Sequence, residues 1–168
     1  MDWDSVGAIG EIIGAVAVVV SLFYVGSQVK QNATSVRGQT HESITRTMVD
    51  VNLLLASDPD LSVAISRANA GKELSNEQYQ RTLNVLGALV RIAAAAHHQH
   101  SLGLLDDEEL DIYTKGTSWM LSSPTGQAVW DVVRDSHTLA FRHHVEDQLK
   151  QNENSALNNK AQKVLNRE

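Results

Sequence analysis

A chain of 168 residues has room for one domain of ordinary size, with a core that is stable without cross-links. It contains no cysteine, which excludes disulfides, thiolate metal ligands and thiol chemistry and fits a reducing compartment. The formal net charge of −6, with Lys and Arg scattered along the chain, argues against a nucleic-acid partner, because phosphate affinity needs clustered basic groups.

Two prolines, ten glycines and 5% aromatic residues suit a helical protein better than a β-sandwich. The first predicted element runs from Val6 to Val25, VGAIGEIIGAVAVVVSLFYV, with Glu11 its only charge. As a helix this stretch is roughly 30 Å long, the thickness of a bilayer's hydrocarbon core. Trp3 at one edge, and Tyr24, Gln28 and Lys30 at the other, are suited to the membrane–water interface. A secretory signal peptide would open with basic residues and end at a small-residue cleavage site, whereas this segment opens with Asp2 and Asp4. The blander alternative is the buried helix of a soluble protein. Lys30, Arg37 and Arg46 all follow the span and no basic residue precedes it, so the positive-inside tendency places the C-terminal part in the cytoplasm.

At about 100° per residue, Gly7, Gly10, Glu11, Gly14, Ser21 and Gln28 fall within one arc, which Val18 and Val25 share. Ile9, Ile12, Ile13, Val16, Val19, Val20 and Phe23 take the opposite side. The pattern predicts a packing or pore-facing side and a lipid side. Gly10 and Gly14 form a GxxxG pair, which lets two backbones approach closely. Glu11 sits roughly 7 Å inside the span. It is either tolerated near the interface or turned toward protein or water, as intramembrane ionisable groups usually are.

The same helix is expected to continue through Val29, Val36, Ile44, Met48, Val51 and Leu55 and to break at Ser57-Asp58-Pro59. A short helix follows from Asp60 to Ala68, ended by Asn69-Ala70-Gly71. Ser75 and Gln78 form a capping box for a helix to about Ser101, striped by Tyr79, Leu83, Leu86, Val90 and Ala93. Gly103 ends it. Asp106 and Glu109 cap the next helix, to about Leu121, and Ser123-Pro124 opens another with Val129, Trp130 and Val133. The last predicted helix, Thr138 to Lys150, aligns Phe141, Val145 and Leu149 with His144 at the edge of their face. The expected organisation is a transmembrane anchor helix (1–30), a helical bundle (31–150) and a polar tail (151–168) that frays.

The segment GAIGEIIGAVAVVVSLFYVGSQVKQN resembles the N-terminal anchor, IGEIIGAIAVVxSLxYLAxQIRQNT, of a widespread group of uncharacterised bacterial single-pass membrane proteins. HHQHSLGLLDDEEL and SSPTGQAVWDVVRDSHTLAFRHHVE are similar to later parts of that group, a GLLD-type turn and a Pro-Gly-x-x-x-W segment. The likeness covers most of residues 5–148 and is most specific in the anchor. Thr125 departs from it by separating Pro124 from Gly126, and so do His97 and His98. The resemblance implies a bacterial inner-membrane anchor with an all-α domain and brings no activity with it.

Two histidine clusters are the candidates for chemistry. His97 and His100 share a helix face and could hold a metal if His144 or Glu108 joined them, yet HExxH and other zinc spacings are missing. The acidic run Asp106 to Glu109 is explained by the preference of a helix N-terminus for negative charge. Trp119 and Trp130, at helical positions, are expected in the core. GxSxG and phosphate-binding glycine loops do not occur, so no catalytic residue and no cofactor are assigned. The expectation is an all-α, membrane-anchored homo-oligomer whose Glu11 and Ser21 line a pore. An accessory or scaffolding subunit of a larger membrane complex is one alternative, and a tethered metal-binding or enzymatic domain is another.

Overall fold

The structure, a computed structural model, describes residues 2–165, with the side chains of 3–6, 8, 9 and 157–165 outside the description. Among the described residues the chain is all-α. Its helices are α1 (Trp3–Ser57), α2 (Pro59–Asn69), α3 (Asn76–Ser101), α4 (Asp107–Leu121), α5 (Pro124–Val133) and α6 (Leu139–Leu165). A single 3-10 turn, Arg134–Ser136, separates the last two. Two compact units result, Met1–Gln39 and Thr40–Glu168.

The helix boundaries follow from local chemistry. Asp58 accepts from the Leu61 N–H at 2.9 Å and Pro59 occupies the first helical position of α2. Ser75 and Gln78 close a reciprocal capping box on α3, and Asp106 and Glu109 close another on α4. Gly71 (φ 63°) and Gly103 (φ 71°) adopt the left-handed conformation that ends α2 and α3. At each, the following N–H reaches back five residues, Lys72 to the Arg67 carbonyl and Leu104 to the Gln99 carbonyl.

Among the described residues of the first unit, α1 is uncovered. Ten large apolar or aromatic side chains from Ile12 to Val25 lie between 50% and 77% exposed, and the whole apolar window is unburied. This helix is long and apolar enough to cross a membrane. The side chains of Trp3 and Ile9, expected at the interface and on the lipid side, lie outside the described residues.

The second unit begins where α1 acquires a packed stripe. Ile44 is buried, and Met48, Val51 and Leu55 pack on a core built from Leu61, Ile65, Val85, Leu86, Leu89, Ile92, Tyr113 and Val129. A second cluster gathers Val90, Ala93, Leu121, Trp130, Phe141 and Val145. Each large side chain fully covered in this way contributes roughly 1.5–3 kcal/mol. Val29 and Val36, expected on the same stripe, remain exposed because they precede the part of α1 that has neighbours.

Two further expectations are corrected. The last helix does not stop near Lys150. It continues to Leu165, well past the expected end. No glycine or proline follows Gly126, and Ala, Leu, Lys, Gln and Glu in that segment favour helix. Asn152 also donates from Nδ2 to Ser122 Oγ at 3.3 Å. Trp119 is not in the core: it is 63% exposed, whereas Trp130 is 4% exposed. On α4 the buried positions are Leu110, Tyr113, Thr114, Thr117, Ser118 and Leu121, and Trp119 falls on the other side with exposed Ile112 seven residues before it.

α4 and α5 meet closely at Gly126. A β-carbon there would lie 2.3 Å from the Met120 carbonyl oxygen and 2.6 Å from the Leu121 α-carbon, both backbone atoms that cannot step aside. Gly126→Ala is therefore expected to destabilise the unit by roughly 2–4 kcal/mol. Gly87→Ala, whose added methyl meets nothing within 4 Å, should stabilise it by about 0.5–1 kcal/mol. Urea unfolding of the full chain in detergent, followed by circular dichroism, measures both.

Candidate functional site

The second unit holds an open groove of about 690 Å³ between α4 and α6. α4 contributes Asp111, Lys115 and Trp119, spaced at four, and α6 contributes His144, Asp147 and Gln148. Asp111 pairs with Lys115 at 2.6 Å and Asp147 with Lys150 at 3.2 Å, both near-surface contacts within one helix.

The groove stands on a polar triangle. Thr114, 1% exposed, donates its hydroxyl proton to the Leu110 carbonyl at 3.0 Å, so its Oγ1 is left as an acceptor. Gln148 fills that role from Nε2 at 2.9 Å, and the same Nε2 lies 3.1 Å from His144 Nε2. An amide NH2 can only donate, so His144 Nε2 accepts, and the imidazole is neutral with its proton on Nδ1. Burial, the largest cause, pushes the His144 pKa below the usual histidine value; His100 adds to this, while Asp111 and Asp147 oppose it. Gln148 is itself 8% exposed, and its Oε1 has no hydrogen-bond partner.

A rim of imidazoles lies against Phe141. His97 approaches its ring edgewise at 5.6 Å between centroids, His137 at 5.3 Å, and Trp130 at 6.2 Å from within the core. His97 also lies 5.2 Å from His144, ring to ring. Burial lowers the His97 pKa, with His144, His100 and His98 adding to it. Burial lowers that of His137 too, with Arg91 and Arg142 adding to it.

Of the three histidines singled out in the sequence, the fold brings His97 and His144 together and sends His100 elsewhere. His100 bonds Asp107 Oδ1 at 2.8 Å, while Glu108 is exposed. Among the described residues no group of three or more His, Asp or Glu side chains could hold a metal ion. Gln148, Thr114 and Trp119 had no sequence signal as a site. They lie on two separate helices, so they gain meaning as a site only once α4 and α6 lie side by side.

In the first unit, Gly7, Gly10, Glu11, Gly14, Ser21 and Gln28 are all exposed. A β-carbon added at Gly7, Gly10 or Gly14 would meet nothing within 4 Å. The Ser21 hydroxyl donates to the Ala17 carbonyl at 2.8 Å, and Gln28 Nε2 donates to the Tyr24 hydroxyl at 2.8 Å. Both polar groups are thereby satisfied along their own helix.

One more polar cluster ties the second unit's share of α1 to α4. Tyr113, 3% exposed, meets Thr45 Oγ1 at 2.9 Å and His41 Nδ1 at 3.0 Å, and Glu109 lies 3.6 Å from the same imidazole nitrogen.

In comparisons with protein-family models, with curated proteins and with solved structures, nothing matches this chain.

The three lowered histidine pKa values fix a pH dependence. An unfolded chain binds protons at these histidines near pH 6.5, and the folded chain binds them only at lower pH. Between those limits the unfolded state holds more protons, so stability rises with pH. The second unit should be most stable above about pH 7 and lose stability as pH falls through about 6.5. Thermal melts across that window should show it, with a shallower dependence in His97→Asn and His144→Asn. Unchanged slopes in both variants would mean that the acid sensitivity lies elsewhere.

Proposed function

We propose that this is a single-pass bacterial inner-membrane protein that assembles with copies of itself along the small-residue face of α1, its helical unit in the cytoplasm. The observation that carries the reading is the row of ten uncovered large side chains between Ile12 and Val25. Left in water, each forgoes roughly 1.5–3 kcal/mol of transfer free energy. A bilayer supplies the missing cover over most of the circumference. Gly7, Gly10 and Gly14 supply a strip where a second backbone can approach, since nothing in their own chain occupies that space. Glu11 shares the strip, and inside a bundle it would be kept from acyl chains. The charge asymmetry across the span supports the cytoplasmic placement of the second unit. The likeness of the anchor to that of uncharacterised bacterial membrane proteins agrees with the bilayer reading.

A pore is the extension of this reading in which Glu11 and Ser21 face a shared lumen. Ser21 already donates to Ala17, so it would offer a lumen only its oxygen lone pairs, and Glu11 would carry most of the selectivity.

Mass measurement of the detergent-purified full chain should give a discrete multimer. Doubling the bulk of the strip with Gly10→Leu and Gly14→Leu should shift association by roughly tenfold or more toward monomer, with Val16→Leu on the opposite side as the silent control. A monomer that becomes complexed only in native membranes would replace self-assembly with the accessory-subunit reading. Release of the chain from membranes by alkaline carbonate would overturn the anchor itself. Bilayer conductance indifferent to Glu11→Gln would end the pore extension.

A further inference from the structure

The geometry points to the α4–α6 groove as a binding site for a small organic cation with a flat apolar body, an amidinium, guanidinium or aryl-ammonium. The groove belongs to the second unit alone, so this assignment does not rest on the membrane reading. Its volume of about 690 Å³ is in the range that holds a small molecule.

Three observations converge on the ligand's chemistry. The first is Gln148. Its NH2 group is committed to Thr114 and to a neutral His144, which leaves Oε1 as the unmatched end of a buried amide. A buried acceptor without a donor is costly, so the amide is built to receive one. The oxygen is covered, so a ligand N–H reaches it only when the amide turns about χ3, a soft torsion, and loosens its bonds to Thr114 and His144.

The second is the charge of the lining. Asp111 and Asp147 contribute two carboxylates to the lining and Lys115 one ammonium, with Lys150 just outside it paired to Asp147, so the anionic groups lie in the groove and one of the balancing cations at its edge. Both carboxylates are held only by lysines one turn away on their own helices, pairs weak enough to exchange for a ligand.

The third is Trp119. A tryptophan that is 63% exposed on a groove wall offers an indole face for stacking and for cation–π attraction. Donor-rich, positively charged and flat is the chemistry common to all three.

The groups around His144 set how this site responds to acid. His97 faces it from α3, where the charge of His100 also acts on it although that ring is turned to Asp107; Asp111 and Lys115 lie on α4 and Asp147 on α6, with Lys150 paired to the last. When His144 takes a proton on Nε2, that nitrogen becomes a donor, and the Gln148 amide must turn its oxygen toward it. The groove then presents an NH2 group and an added positive charge. Cation binding is therefore weakened on acidification below about pH 6.5.

The test is calorimetric titration of the full chain in a nonionic detergent with benzamidinium chloride, and with sodium benzoate as the charge-reversed probe of the same shape. At about pH 8, where histidine is neutral, benzamidinium should bind one site with Kd on the order of 1 mM or tighter. Benzoate should bind at least about tenfold more weakly, since the carboxylates and the free amide oxygen repel it. Trp119→Ala, at a position 63% exposed and so expected to leave the melting curve unchanged, should weaken benzamidinium by roughly tenfold. Gln148→Met should do the same while keeping the volume of the side chain. The proposal is overturned by the absence of saturable benzamidinium binding, by equal binding of benzoate, or by binding that persists undiminished in Trp119→Ala, the signature of probe dissolved in the micelle.

Discussion

Cover for the apolar side chains of α1 is the constraint on which the rest of the molecule depends. Along one continuous helix, Ile44, Met48, Val51 and Leu55 are packed in the second unit, while the large side chains from Ile12 to Val25 are exposed. Both stretches are apolar, but they solve the hydrophobic problem differently. The later one is a stripe with a three-four spacing and polar residues between, which a bundle can bury from one side. The earlier one is apolar around nearly its whole circumference, and a single packing partner in the same chain would still leave most of it bare. That difference separates a stretch long and apolar enough to cross a membrane from one that a bundle buries on one side.

Within the second unit, polar groups carry the specificity of packing that the aliphatic core alone would leave loose. Tyr113 fixes α4 against α1 through Thr45 and His41. Thr114, one residue further and turned toward α6, fixes α4 against that helix by accepting from Gln148, whose amide also donates to His144. Adjacent residues on a helix point about 100° apart, so this single Tyr-Thr pair locks α4 in rotation between two neighbours. The cost is borne at Gln148 Oε1, Thr82 Oγ1, Trp130 Nε1 and Arg142 Nε, buried polar atoms without partners among the described residues. Of these, only Gln148 belongs to the lining of the groove, which is why an orphan acceptor there has chemical meaning.

The histidines illustrate how burial changes what a residue does. His97, His137 and His144 are held against Phe141 or one another, where their rings act as aromatic edges and their protonation is disfavoured. His100, only three residues from His97, reaches out to Asp107 instead. A metal reading of the same cluster required His97 and His100 to converge, and the close packing of Phe141 with His97 turns one of them inward.

What the sequence determined by itself is local: the caps at Ser75 and Asp106, the break at Asp58-Pro59, the glycine stops at Gly71 and Gly103, and the all-α class. These depend on contacts within four or five residues, so the order of residues contains all the information needed. The apolar stretch with its strip of Gly7, Gly10, Glu11, Gly14, Ser21 and Gln28 was equally legible, because helical periodicity is a property of spacing alone. Only the tertiary structure decided that Trp119 faces outward, that Val29 and Val36 stay uncovered, that His144 meets His97 and Gln148, and that a groove opens between α4 and α6. Each of these depends on which face of one helix is turned toward a particular face of another. A side chain's own neighbours in the sequence cannot specify that rotation; it is chosen by the summed fit of residues 30 or more positions apart, as Thr114 is from His144.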